Sequence, residues 1–151
     1  MIKKLMKIAL FADAPHYVNG FVLDLVQERG CDVVLLGAFE KEEEVSWATG
    51  ALEAGRLVEE GVCDEAIVIC WSGTGVTMAA NKVHSVRAAL CTDAPTAKAA
   101  RIWNHANVLG LSHRLLTPDL ASEILEAWFD TPMDMRGLEG VRALQMGSCE
   151  G

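Results

Sequence analysis

Residues 66–82, AIVICWSGTGVTMAANK, decide how the rest of the chain is arranged. Ala66 to Ile69 are four apolar residues with charge before them and glycine after, the pattern of a strand buried on both faces, as in a parallel sheet. Cys70 then falls at the carboxyl end of that strand. Gly73 and Gly75 permit a tight turn that brings successive backbone N–H groups close to a ligand, and a helix starting near Val76 adds the positive end of its dipole. Such a turn favours a phosphate or a developing oxyanion. A thiol beside it gains thiolate character, which qualifies Cys70 as a base or nucleophile. The same spacing fits a buried structural cysteine in an ordinary strand-to-helix turn, because a lone Gly-x-Gly is an incomplete phosphate fingerprint.

Upstream, Lys7 to Asp13 reads as a first strand ending in a carboxylate, broken by Ala14-Pro15 before a helix over His16–Arg29 that Gly30 closes. Asp32–Gly37 is a second apolar run. The acidic Glu40–Glu44 is a solvated loop or a helix's first turn, and a helix over about 45–60 ends at Gly61. Downstream, the helix after the glycine loop runs to about Val83, a fourth strand covers Val86–Thr92, and helical spacing resumes at Pro95–His105. A fifth strand covers Asn107–Ser112. Thr117 as cap and Pro118 as first residue then open a helix through Phe129, and a weaker helical tail spans 136–146.

Five short apolar strands alternating with helices predict an α/β fold: a three-layer α/β/α sandwich on a doubly wound, Rossmann-like, five-stranded parallel sheet in the order 2-1-3-4-5. In such sheets ligands bind beyond the carboxyl ends of the strands where the order reverses, here between the first and third. Asp13 and Cys70 end those two strands, so fold and motif point to one crevice.

A chain of 151 residues with 51% hydrophobic content suits a single domain spanning 1–151. Acidic residues outnumber basic ones 21 to 13, for a net charge of -8, which argues against nucleic acid or an anionic membrane as partner. No stretch is long enough to span a membrane, and the basic start at Met1–Lys7 lacks a cleavage pattern. The five cysteines, at 31, 63, 70, 91 and 149, form an odd set without metal-ligand spacing, which predicts reduced thiols in the cytoplasm. No metal and no cofactor is called for.

At residues 70–82 the chain reads CWSGTGVTMAANK, where members of the ribose-5-phosphate isomerase B and galactose-6-phosphate isomerase family read CGTGIGMSIAANK. A second block matches at Val86–Cys91, Ala97-Lys98, Ala100-Arg101, Asn104, Asn107–Leu109, Arg114 and Pro118, and the chain resembles that family from about Lys7 to Trp128. The resemblance implies metal-free interconversion of an aldose and a ketose phosphate through an enediolate, at sites shared between two subunits. It implies Cys70 as the base, Ser72 as a hydroxyl that bonds substrate, and the amides of Gly73, Thr74, Gly75, Val76 and Thr77 as the anion hole. Asp13 corresponds to the aspartate that binds substrate hydroxyls, Asn104 and Arg114 fall at residues of the same site, and Arg136 matches a phosphate-binding arginine after a one-residue shift.

The departures bear on mechanism. Ala14 stands where the family's histidine follows the first-strand aspartate, Trp103 stands for the histidine that opens the sugar ring, and the D-Y-P block is replaced around Val45-Ser46-Trp47. Indole has no basic nitrogen, so Trp103 can pack or stack against a ligand but cannot shuttle protons. His16 is the histidine best placed to substitute, while His84 and His113 read as turn residues and His105 faces elsewhere. The expectation is an isomerase whose sugar phosphate has an abundant open-chain form, such as a tetrose or tetrulose phosphate. The alternatives are a non-catalytic sugar-phosphate-binding relative, an inactive subunit of a mixed oligomer, or another reaction at Cys70 such as epimerisation. Shared sites, and apolar segments around Trp103 and Trp128 that call for cover, predict a homodimer or dimer of dimers.

Overall fold

The computed structural model describes residues 4–147, so Cys149 lies outside the described residues. In chain order the elements are β1 (Lys7–Ala12), α1 (Tyr17–Glu28), β2 (Asp32–Gly37), α2 (Trp47–Glu59), β3 (Glu65–Cys70), α3 (Thr74–Ala80), β4 (Ala88–Leu90), α4 (Ala94–Asn104), β5 (Val108–Ser112), α5 (Pro118–Asp130), a short 3-10 turn (Met135–Gly137) and α6 (Leu138–Gly147). Caps fix several boundaries. Ser46, Asp93 and Thr117 side chains accept the N–H of Thr49, Thr96 and Leu120 at the starts of α2, α4 and α5, and Pro118 opens α5 as expected. The acidic run before Ser46 is therefore loop. Helix α3 begins at Thr74 and ends at Ala80, two residues earlier than expected at its start and three at its end.

All five strands are parallel and the sheet order is β2-β1-β3-β5-β4, which corrects the expected 2-1-3-4-5. Burial explains the exchange: every residue of β5 is buried, whereas the three residues of β4 are half-buried. A strand covered on both faces belongs inside the sheet, and a short half-covered one belongs at its edge. The outer edge of β4 is satisfied by a side chain. Asn81 donates from Nδ2 to the Ala88 carbonyl at 2.9 Å and accepts the Ala88 N–H at 2.7 Å, taking the place of a further strand.

The order also decides which face each helix covers. With right-handed crossovers, the steps β1→β2 and β4→β5 run the same way across the sheet and put α1 and α4 on one face, where α5 joins them. The steps β2→β3 and β3→β4 run the other way, and α2 packs against α3 on the opposite face. Strand residues alternate accordingly: Ile67 and Ile69 enter the α1/α4/α5 core, while Ala66, Val68 and Cys70 enter the α2/α3 core with Phe11 and Val76.

At the amino end of the sheet a buried polar cluster joins three elements. Arg101 Nη1 of α4 donates to Glu65 Oε2 of β3 and to the Ala106 carbonyl, both at 2.7 Å, and Trp128 Nε1 of α5 donates to Glu65 Oε1 at 2.9 Å. The guanidinium lies 4.5 Å from the Trp128 ring centre. Trp128 is fully buried within its own chain, which corrects the expectation that it needs cover from a second one. Among the described residues no helix is long and apolar enough to cross a membrane.

Candidate active site

The crevice forms where the sheet order reverses, beyond the carboxyl ends of β1 and β3. These neighbours pair in register up to Ala12 opposite Ile69, and the Asp13 N–H continues the ladder to the Ile69 carbonyl at 3.1 Å. Asp13 and Cys70 thus emerge from adjacent strand ends. Cys70 is 6% exposed, with its side chain on the α2/α3 face beneath the glycine loop.

That loop is built as the sequence requires. Gly73 has φ +77° at the cap of α3, and a Cβ there would come within 2.5 Å of Leu90 Cδ1. Gly75 lies under the indole of Trp47, whose Cε3 a Cβ would approach to 2.9 Å, so the aromatic residue that starts α2 roofs the loop. The amides of Gly73, Gly75 and Val76 have no acceptor among the described residues, which leaves them for a ligand. The Thr74 N–H leans on Ser72 Oγ at 3.4 Å, and the Ser72 and Thr74 hydroxyls share a hydrogen bond of 2.7 Å. Thr77 departs from expectation. Its N–H closes the first turn on the Gly73 carbonyl at 3.3 Å and its hydroxyl donates to the same oxygen at 2.7 Å, so it supports the loop and has no donor to spare.

The mouth is a cleft of about 380 Å³ between Asp13, His16, Glu44, Val45, Trp71 and His113. Asp13 Oδ1 is buried without a hydrogen-bond partner. Burial raises the pKa of its carboxyl group, the Glu44 carboxylate raises it further, and a backbone hydrogen bond partly opposes them. His16 caps α1: its Nδ1 accepts the Val18 N–H at 3.2 Å, which puts the hydrogen of the neutral ring on Nε2. Its ring stacks on that of His113, with centres 4.5 Å apart and planes 11° from parallel.

His113 does lie in a turn, but it is only 4% exposed, and sequence reasoning missed its place in the cleft. Asn19 donates from Nδ2 to the Ala14 carbonyl at 3.1 Å, so its Oδ1 accepts from His113 Nε2 at 2.8 Å. Burial, with His16 adding to it, pushes the His113 pKa down to about 4 and keeps the ring neutral. The available signal was position: His113 follows the last residue of β5 just as Cys70 ends β3. Arg114, exposed, follows it at the same end, its N–H bonded to the Trp71 carbonyl at 3.0 Å.

Trp103, Asn104 and Arg136 lie elsewhere. Helix α4 runs back against the strands and ends at Asn104, just before β5 begins, which puts these residues at the amino end of the sheet. Trp103 is half-exposed, with the Arg136 guanidinium 5.5 Å from its ring centre. Arg136 grips Asp134 through Nε at 3.0 Å and Nη2 at 2.7 Å. Within one chain, therefore, the expected site residues fall into two groups at opposite ends: Asp13, His16, Cys70, Ser72, Gly73–Thr77 and Arg114, then Trp103, Asn104 and Arg136.

Proteins similar to this chain include sugar-phosphate isomerases. A D-erythrulose-4-phosphate isomerase from Pectobacterium atrosepticum is 31% identical over 134 residues, which is 88% of each chain. Ribose-5-phosphate isomerase B of Escherichia coli is 33% identical over 124 residues, covering 81% of this chain and 82% of that one. The structure of Clostridium thermocellum ribose-5-phosphate isomerase B superposes with a TM-score of 0.89 at 33% identity, over 96% of this chain and 99% of the other. The ribose/galactose isomerase family model matches residues 8–145, and the chain belongs to that family.

Proposed function

We propose that this chain is an aldose–ketose isomerase for a short sugar phosphate, with a four-carbon ketose phosphate of the erythrulose 4-phosphate kind as its substrate and Cys70 as its base. The observation that carries the reading is that Cys70 ends β3 just before a glycine loop whose Gly73, Gly75 and Val76 amides lack acceptors among the described residues, with Asp13, whose Oδ1 has no partner there, at the end of the neighbouring strand. In the proposed reaction the Cys70 thiolate takes a proton from C1, and the electron pair moves into the C1–C2 bond and onto O2. The free amides hold the resulting enediolate. A proton passes from O1 to O2, and the thiol returns its own to C2 to give the aldose. Ser72 and Asp13 orient the substrate hydroxyls, Arg114 faces the phosphate, and the reading assigns no metal or cofactor.

The substrate class follows from the replacement of the family's ring-opening histidine by Trp103. Ring opening needs proton transfer to the ring oxygen and from the anomeric hydroxyl, and positioned acid–base help with such a step is worth about 10²–10⁴-fold. Trp103, in place of the family's histidine, offers neither. Erythrose 4-phosphate carries its phosphate on the hydroxyl that would close a furanose, and erythrulose 4-phosphate is too short to close one on its C2 carbonyl, so neither needs such help. The similarity to a D-erythrulose-4-phosphate isomerase supports the same choice. A panel of four- to six-carbon aldose and ketose phosphates tests it: the four-carbon pair is converted and ribose 5-phosphate is turned over poorly or not at all. Efficient ribose 5-phosphate turnover would refute the substrate class. Conversion of none would favour a non-catalytic sugar-phosphate-binding protein or the inactive subunit of a mixed oligomer.

The working form in this reading is a homodimer or dimer of dimers, in which Trp103, Asn104 and Arg136 of one copy meet Cys70 of another. The separation of those groups within one chain supports it, as does the exposed apolar surface of Trp103, Met135 and Leu144. Among the described residues Arg136 Nη1 has no acceptor, and it is suited to a phosphate. Sedimentation at micromolar concentration would show a dimer or larger; a monomer would sink the shared-site model.

A further inference from the structure

Trp71 is a large aromatic residue that the core does not use. It is 64% exposed, directly follows Cys70, and forms one wall of the cleft. Its backbone is clamped: the carbonyl accepts Ser112 Oγ at 2.7 Å and the Arg114 N–H at 3.0 Å, tying it to the end of β5. The facing wall, Glu44 and Val45, is also fixed, because the Val45 N–H donates to the Asp13 carbonyl at 2.9 Å. Backbone is therefore pinned on both sides of the cleft, and the Trp71 indole projects from one of them.

We propose that Trp71 sets the length of the sugar phosphate this site accepts, its indole closing the cleft to chains longer than four carbons. The inference rests on the isomerase reading above. With a substrate hydroxyl on Asp13, which lines this cleft together with Trp71 and Val45, the rest of the chain is placed alongside the indole. One CHOH more extends the substrate further along the indole face. One methylene too many in an apolar pocket is worth about 10–200-fold in kcat/KM, which sets the scale for one carbon against the indole.

This steric limit is separable from the absence of a ring-opening group. Ribulose 5-phosphate has five carbons but no free hydroxyl able to close a five-membered ring on its C2 carbonyl, since O5 carries the phosphate. A site limited only by ring opening converts it as readily as erythrulose 4-phosphate; a site limited by length does not.

The test is kcat/KM for erythrulose 4-phosphate and ribulose 5-phosphate with wild type, Trp71→Ala and Trp71→Phe, each checked for folding by its unfolding midpoint. Wild type should favour the four-carbon compound by at least about tenfold, and Trp71→Ala should raise the five-to-four-carbon ratio by at least about tenfold, with Trp71→Phe between them. Should Trp71→Ala fail to fold, the ratio in Trp71→Phe must still move the same way. Equal use of both compounds by wild type, or an unchanged ratio in the variants, overturns the length limit and leaves the isomerase reading standing. Turnover of neither compound by wild type overturns the isomerase reading and the length limit with it.

Discussion

The two ends of the sheet treat buried polar groups in opposite ways. At the amino end, both carboxylate oxygens of Glu65 are bonded, one to Arg101 and one to Trp128, and the guanidinium also holds a carbonyl and covers an aromatic face. Among the described residues the one fully buried side-chain atom without a partner there is Arg101 Nε. At the carboxyl end, again among the described residues, Asp13 Oδ1 has none, three loop amides have no acceptor, and a histidine is held neutral in a cleft. A charge whose partners are supplied by the chain joins elements together. A charge left without them is held ready for something from outside, at some cost in stability. The contrast separates structure from chemistry without appeal to family membership.

The contrast can be broken from either end. Glu65→Ala should cost about 3–5 kcal/mol, because it strands a buried guanidinium and an indole N–H in the core; chemical denaturation measures it. A loss below about 1 kcal/mol would mean the cluster is not the brace it looks like.

The smaller effect is at the other end. His113 has its pKa depressed from an ordinary 6.5 to about 4, so the unfolded chain takes up a proton in a range where the folded chain does not. Its contribution to stability is complete above pH 6.5 and is lost as pH falls towards 4, by a total of the order of 3 kcal/mol. His113→Asn should flatten that part of the stability profile, which unfolding midpoints between pH 7 and 4 would follow. An unchanged slope would show that the ring is not held neutral.

The sequence carried the parts of this picture that depend on local pattern. The apolar run before Cys70, the glycines after it and the carboxylate ending β1 were legible because periodicity and turn chemistry act within a few residues. Strand order was not, although the continuous apolar run of β5 beside the Ala-Ala of β4 held the signal that β5 is the inner strand. Thr77 was misjudged because its hydrogen bonds go to Gly73, a detail of the first helical turn. His113 and Asn19 escaped because 94 residues separate two groups that meet only once β5 is laid beside β3 and α1 has folded back. Trp71 was visible all along as the residue standing where the resembling family has glycine, but its exposure and its clamp required the fold.

The central claim is that the carboxyl-end crevice is an isomerase site with Cys70 as its base. Conversion of erythrulose 4-phosphate in D2O, followed by NMR with wild type, Cys70→Ala and Cys91→Ala, tests it most directly. Cys91 is the control, buried at the end of β4 with its pKa pushed up to about 12 by burial and by Asp93. Wild type and Cys91→Ala should yield the aldose carrying solvent deuterium at C2, while Cys70→Ala, with an unchanged unfolding midpoint, should be slower by about 10²–10⁴-fold. Wild-type rates from Cys70→Ala, or a loss of turnover confined to Cys91→Ala, would contradict the account.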